Sequence, residues 1–399
     1  MLQYVRHLIK RELRHALKRI YLKETALLFL RIGATAFGGP AAYIAIMQRE
    51  TVRRRHWLDD QGFLDLVGAT NLIPGPNATE MALYLGLVRA GWLGYAVSGL
   101  LFIIPGMVAT LTIAWVYVTY GSLPQVGWVL YGVKPIVIAI VIQALWDLGR
   151  KGVKDALTAV VGTAVIALYL LGFDEIALLF AGAAVVLLFH LVRRLFKEGF
   201  SALSLLPLFG LPVPMLSAGI VPFSQTTLFL TFLKIGAVIY GSGYVLFAFF
   251  NSEFVVRLGW LNHQQLLDSI AVGQITPGPV ATSATFVGYL MGGWPSALLA
   301  TLAFFLPSFF LVALISRLVP LLRKKWWSGA FLDGVNVSAL GLMVGVTWTL
   351  GRAGVVDWFT IALAVAALVL VFRFKVNSAW LVVGGGLLGV AYKVLLGLT

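Results

Sequence analysis

Cysteine is absent from the 399 residues, which excludes disulfides, thiolate metal sites and a cysteine nucleophile. Histidine is scarce. Of the five that occur, His7, His15, His56 and His263 lie outside the long apolar runs and His190 stands alone near the end of one, which argues against haem or a histidine-rich metal centre. Charge is scarce too: Asp, Glu, Lys and Arg make up 12% of the chain, against about 25% in an average soluble domain. Strict period-2 alternation in ten-residue segments is missing, which excludes a membrane β-barrel. The amino terminus lacks an apolar core and a small-residue cleavage site, so it does not read as a signal peptide.

What is present is apolar sequence, at 60% of the chain, in several runs longer than the ~20 residues a helix needs to cross a bilayer. The fold class expected is an all-α polytopic membrane protein. The formal charge of +14 gathers in short loops beside the apolar runs, as the positive-inside rule requires, so the partner implied is a lipid bilayer and not nucleic acid. Residues 1–23 carry seven Lys/Arg, with apolar residues at Leu2, Val5, Ile9, Leu13, Leu17 and Ile20. That helical period predicts an amphipathic helix over 1–24, on the anionic cytoplasmic leaflet.

The chain repeats itself. Phe29-Leu30-Arg31-Ile32-Gly33-Ala34 returns 203 positions later as Phe232-Leu233-Lys234-Ile235-Gly236-Ala237. In that register Glu50 matches Glu253, Trp57 matches Trp260, and Pro74-Gly75-Pro76 matches Pro277-Gly278-Pro279. After one deletion the offset is 202, and Trp92, Phe102, Pro105 and Trp146 match Trp294, Phe304, Pro307 and Trp348. One register with a single gap over so long a stretch is a duplication.

In each half the first apolar run is broken, at Phe37-Gly38-Gly39-Pro40 and at Tyr240-Gly241-Ser242-Gly243, and the second at the Pro-Gly-Pro triplets. Glycine and proline together interrupt a helix, and the pieces are too short to span. Two re-entrant hairpins per half are therefore expected, followed by about four spans: 92–119, 124–149, 155–171 and 175–192, then 296–316, 333–350, 356–372 and 378–397. Arg53-Arg54-Arg55, Arg150, Lys151, Lys154, Arg193 and Arg194 share the cytoplasmic side if the hairpins re-enter. Arg317, Arg323, Lys324 and Lys325 join them only if the second half starts outside. The organisation expected is thus an amino-terminal helix 1–24, a first repeat 25–198, a crossing linker 199–225 and an inverted second repeat 226–399. Inverted repeats are the architecture of secondary transporters, with the site at the repeat interface.

A half-helix start presents unpaired N–H groups and partial positive charge, which suits an anion. Pro76 and Pro279 read as such starts, with Asn77, Thr79, Thr282 and Ser283 adding donors; the competing reading is packing kinks. The substrate site expected gathers Gly38, Gly39, Pro40, Asn71, Pro74, Gly75, Pro76, Asn77 and Thr79 with Tyr240, Gly241, Gly243, Gln274, Pro277, Gly278, Pro279 and Thr282. Lys134, placed near mid-bilayer with Asn336 as its repeat partner, reads either as counter-charge to the substrate or as an ion pair with Glu80. Glu80, protonated when an anion binds, would couple transport to protons. Glu50 with Arg53, and Glu253 with Arg257, read as interfacial ion pairs with a gate role open. Arg31 and Lys234 either snorkel or face the anion. Trp57 and Trp260 read as interface anchors. Gly385 and Gly389 read as helix packing or a homodimer contact.

Phe37-Gly38-Gly39-Pro40, Glu50, Trp57-Leu58, Asn71 through Glu80 and Phe102-Ile103-Ile104-Pro105 together resemble the signature of the chromate ion transporter family. The likeness covers both halves, about 29–150 and 232–352. It implies a multi-pass protein of a bacterial-type inner membrane, amino terminus cytoplasmic, exporting chromate or the similar oxyanion sulfate on the proton-motive force, with no cofactor. Members of that family often carry His where this chain has Tyr43, which makes Tyr43 a coupling or gating candidate. The alternatives are a passive oxyanion channel and, from another class, an enzyme on lipid-linked phosphate using Asp59-Asp60 or Asp174-Glu175. The second is disfavoured because Asn262-His263 replaces Asp59-Asp60 in the repeat. The chain has no Gly-x-x-x-x-Gly-Lys-Ser/Thr loop, so ATP-driven transport would need another subunit.

Overall fold

The computed structural model describes residues 2–37, 39–121, 123–197, 222–240, 243–315 and 326–397. The expectations for Gly38, Gly241, Ser242, most of the crossing linker and the cluster Arg317 to Lys325 lie outside these residues, as do those for the side chains of 2–17.

The described residues form 14 α-helices, and the duplication orders them. The first seven are α1 Leu2–Thr35, α2 Pro40–Gln48, α3 Asp60–Thr70, α4 Asn77–Tyr120, α5 Pro124–Gly152, α6 Ala156–Leu170 and α7 Glu175–Lys197. They are answered in turn by α8 Gln225–Val238, α9 Leu246–Phe250, α10 His263–Ile275, α11 Ser283–Ile315, α12 Trp326–Gly354, α13 Trp358–Phe374 and α14 Ser378–Leu395. Both α2 and α9 run on into π-helical stretches, Arg49–Arg54 and Asn251–Arg257. The expected boundary at residue 24 falls inside α1, which continues without a break. The span expected at 333–350 belongs to α12, which starts earlier, at Trp326.

Among the described residues six helices are long and apolar enough to cross a membrane. Trp358, Trp380, Phe374 and Leu387 lie exposed on helix surfaces, an outward apolar face that suits lipid and not water. Trp57 and Trp260 are not exposed anchors. The indole of Trp57 donates to Glu24 at 3.1 Å, and Trp260 packs on Phe254 and Phe223.

Glycine and proline place the breaks as their chemistry demands. The long helices α4 and α11 each kink at a glycine with φ of 67°, Gly91 and Gly293, a conformation other residues avoid. The kinks separate a short first arm from a full span, as the hairpin reading requires. Farther along, Pro105 and Pro307 lie inside those spans. Proline has no N–H to offer the preceding turn, and α1 and α8 lie against that stretch of backbone through Gly33 and Gly236. A methyl on Gly33 would stand 2.7 Å from the Phe102 carbonyl oxygen, and one on Gly236 only 2.1 Å from that of Phe304.

The helix starts repeat as well. Asp155 and Asp357 build capping boxes with Thr158 and Thr360, which carries the duplication into α6 and α13. Asp59 caps α3 at 2.8 Å from the Gly62 N–H, and Asp174 accepts from the Ala177 N–H at 2.8 Å. The two acidic pairs singled out for enzyme chemistry thus supply helix caps.

The repeats are interlaced. α4 packs on α11, α5 packs on α14, and α7 packs reciprocally on α12. Small residues permit the crossings: Gly132 meets Gly385 and Gly389, while its counterpart Gly334 meets Gly182 and Ala183. Gly385 and Gly389 are therefore engaged in packing within the chain.

Candidate functional site

The broken segments meet across the repeats in matched pairs. The N–H of Gly75, in the first Pro-Gly-Pro, donates to the carbonyl of Ile239 at 2.7 Å. The N–H of Gly278, in the second, donates to the carbonyl of Ala36 at 3.2 Å. Each triplet thus closes on the first break of the other half. Tyr43 adds a third link, its hydroxyl donating to the carbonyl of Gly278. Pro40 opens α2 at its first position. Pro76 stands one residue earlier than a first-turn proline, as the N-cap of α4, and Pro279 caps a single 3-10 turn, Val280–Thr282, that feeds α11. The fourth start expected, after Gly243, is slight: α9 has five residues before its π-helical continuation.

Glu80 lies at the centre of the first triplet. It is fully buried, and neither carboxyl oxygen has a hydrogen-bond partner. Gly75 has φ of 145°, and a Cβ there would stand 2.2 Å from Glu80 Oε1 and 2.5 Å from Ser308 Oγ. The carboxyl of one repeat and the hydroxyl of the other therefore flank the same glycine. Ser308 Oγ, Thr79 Oγ1, Tyr84 Oη and Asn77 Oδ1 are likewise buried without partners, although the Asn77 amide N–H₂ donates to Asn71 at 2.8 Å. Tyr84, Tyr95 and Tyr240 are within electrostatic reach of Glu80. Buried polar atoms are paired in the great majority of proteins, so this concentration of free ones sets the segment apart as the candidate site.

The second triplet has hydroxyls and no carboxyl. Thr110 Oγ1 donates to Thr282 Oγ1 at 3.2 Å and lies 3.4 Å from Thr276 Oγ1. Gly106 packs against the carbonyl of Pro277. Ser283, at the position of Glu80, is buried with a free hydroxyl, and the Gln274 amide lies within hydrogen-bond reach of the Tyr244 phenol. The Gly39 backbone also lies against the Tyr244 ring.

Several expectations are corrected. Lys134 does not meet Glu80; its ammonium lies 3.3 Å from Asp268 Oδ1, and Tyr117 donates to the other carboxylate oxygen at 2.9 Å. It lies ten residues into α5, and one turn earlier Tyr131 donates to the exposed Asp357 in the loop that joins α12 to α13. Asn336 is exposed on α12 and joins none of the breaks. Glu50 pairs with Arg54 at 2.7 Å and with Arg55, not with Arg53. Glu253 pairs with Arg257 at 2.5 Å, as expected, and also with Lys234. Ser308, Thr110 and Asp268 were not singled out as site residues; the signal for the first two is a hydroxyl inside an otherwise apolar span.

The sequence profile of the family described as Chromate transporter matches residues 23–188 and 226–390, one match per repeat. The chain is 32% identical to a chromate transport protein of Cupriavidus metallidurans over 386 residues, 96% of each chain. It is 33% identical to a probable chromate transport protein of Synechococcus elongatus over 355 residues, 87% of this chain and 89% of the relative. A chromate transport protein of Pseudomonas aeruginosa is 30% identical over 377 residues, 90% of each chain. No solved structure matches.

Proposed function

Because the chain belongs to the chromate transporter family, we propose that it moves chromate, or the like-shaped dianion sulfate, outward across a bacterial-type inner membrane. The oxyanion binds where the Pro-Gly-Pro triplets meet the first breaks of the opposite repeats. The observation that carries this reading is the set of buried, unpaired hydroxyls of Ser308, Thr79 and Tyr84 gathered with Glu80 at the start of α4. They are donors without acceptors, at a helix start whose dipole already favours an anion.

A buried carboxylate and a dianion repel each other, so Glu80 is protonated whenever the anion is bound. One proton then travels with the oxyanion, and a loaded cycle moves one net negative charge. An inside-negative potential drives each such charge outward by about 2.3 kcal/mol per 100 mV, so the electrical part of the proton-motive force powers export. Closing and reopening the exchanged Gly75–Ile239 and Gly278–Ala36 bonds would alternate access, with Tyr43 as the gate on the second.

Opposite orientation of the repeats is part of the proposal, and the equivalent spans of α4 and α11 support it. Tyr95 donates to the carbonyl of Phe309, Gly99 also faces Phe309, and Trp92 shares a groove with Phe310 and Leu314. Position numbers rise along one helix as they fall along the other. Equivalent helices that cross antiparallel are related by an axis in the membrane plane. On this reading the amino terminus and Arg53–Arg55 are cytoplasmic.

The test is flux of labelled chromate and sulfate in proteoliposomes with imposed voltage and pH gradients. The wild-type reversal potential should move with pH, and that of Glu80→Gln should not. Absence of flux for both anions would refute the substrate assignment. A wild-type reversal potential indifferent to pH would leave a passive anion channel.

A further inference from the structure

We propose a second, outer oxyanion site at the mouth of the first repeat, built by Arg31 and Arg49, where the substrate docks before it reaches the triplets. The inference rests on the oxyanion reading above but uses different residues. A cavity of about 160 Å³ opens between the end of α1 and the end of α2, lined by Arg31, Thr35 and Ala36 on one side and Ile46, Arg49 and Glu50 on the other. Its volume accommodates a tetrahedral oxyanion.

The charge inside this cavity is positive. Arg31 and Arg49 make no ion pair among the described residues. Glu50 is the one acidic residue in the lining, and its two oxygens are taken by Arg54 and Arg55. Guanidinium groups offer forked donors that fit tetrahedral oxyanions, so two unpaired ones facing a single cavity form a receptor for such an ion.

The second repeat lacks the device. Its counterpart of Arg31 is Lys234, which is paired with Glu253. Leu258 replaces Arg55 and Ser252 replaces Arg49. In the first repeat Arg55 neutralises Glu50 and so leaves Arg31 available. The cavity also leads inward: Ala36 lines it and accepts the hydrogen bond from Gly278 that seals the second triplet. An anion held by Arg31 and Arg49 is therefore next to the bond that must open to admit it. On the proposed orientation this is the cytoplasmic mouth, the loading side of an exporter.

The experiment uses the full chain in proteoliposomes with labelled chromate. Arg31→Gln with Arg49→Gln should raise the half-saturating chromate concentration about tenfold, as removal of two charges near a dianion predicts. Maximal flux should stay within about twofold, and the half-saturation should lose much of its dependence on ionic strength. The Lys versions should restore most of the affinity, and Arg53→Gln, an exposed arginine outside the cavity, should change nothing. Independently of any variant, chromate should slow dicarbonyl modification of Arg31 and Arg49 in the wild-type protein but not of Arg53. Unchanged half-saturation in the double variant, or equal modification rates with and without chromate, overturns the outer site. Absence of wild-type flux would instead refute the oxyanion reading on which it rests.

Discussion

The two repeats share a backbone and differ in chemistry. After its first break the first repeat is ionic: Arg89 grips Glu24 at 2.6 Å, Glu24 also meets Arg55, and Arg55 joins Glu50 and through it Arg54. Arg89 further lies over the Tyr21 ring at 4.0 Å. The second repeat has Thr227 and Met291 at the positions of Glu24 and Arg89, and fills the same place with Phe223, Phe254 and Trp260. The same division holds at the triplets, Glu80 in one and Ser283 in the other. What the repeats hold in common (glycine contacts, kinks, caps) sets geometry. What they do not share sets charge.

The Lys134–Asp268 pair breaks the symmetry most sharply, because Lys134 is answered by the uncharged Asn336. Asp268 is 3% exposed at its side chain. Lys134→Met should strand that carboxylate at about 3–5 kcal/mol, whereas Lys134→Met with Asp268→Leu should recover most of the loss. Thermal unfolding in detergent of the two variants would show this. A double variant no better than the single would mean that the pair has a role beyond neutralising itself. Replacement of Glu80 should rescue nothing.

A second comparison keeps the element constant and varies the repeat. Gly33→Ala and Gly236→Ala both press a methyl on a backbone carbonyl, at 2.7 and 2.1 Å. Each should destabilise by about 1–3 kcal/mol, with Gly236→Ala the worse. Melting temperatures in the opposite order would show that α8 yields more readily than α1.

The smallest effects should come from the matched helix caps. Asp155→Ala and Asp357→Ala each remove a helix cap, at about 1 kcal/mol. The Thr158 backbone N–H, then its hydroxyl, holds the Asp155 carboxyl below its ordinary pKa. Burial opposes ionisation of Asp357, but the hydrogen bonds from Tyr131 and Thr360 outweigh it and lower its pKa too. A depressed folded-state pKa stabilises above the unfolded-state value and loses its contribution as pH falls through the folded one. Asp357→Ala also strips Tyr131 of its acceptor, so its loss should be the larger at neutral pH, and both losses should fade in acid, which melting curves across pH would record.

Much of the fold was legible because duplication leaves matched residues and because Gly and Pro announce where helices stop. Pro105 and Pro307 and the two triplets needed no partner to be read, whereas the kinks at Gly91 and Gly293 emerge only from the backbone. The site was legible only as far as it is local. The hairpin breaks were found, but Ser308 is more than two hundred positions from the Gly75 it flanks, and the true partner of Lys134 belongs to the other repeat. Glu80, in the first turns of a half-helix of the same half, reads as the partner by that placement alone, and the placement misled. Side-chain pairing across an interface follows from how the repeats dock, which neither hydropathy nor spacing records.

The interlacing of the last helices has an evolutionary consequence. α7 rests on α12 and α14 rests on α5, so a lone repeat would leave its final helix without a seat and the face of its fifth helix bare. A single-repeat ancestor with this packing had to work as a pair of identical chains. On the inverted reading those chains entered the membrane in opposite senses, so their loops carried no strong orientation bias. Joining two copies in one gene then added a tether rather than an interface, and fixed which copy faced which way. Only after that could Arg31, Arg49 and Glu80 accumulate on one side without being imposed on the other.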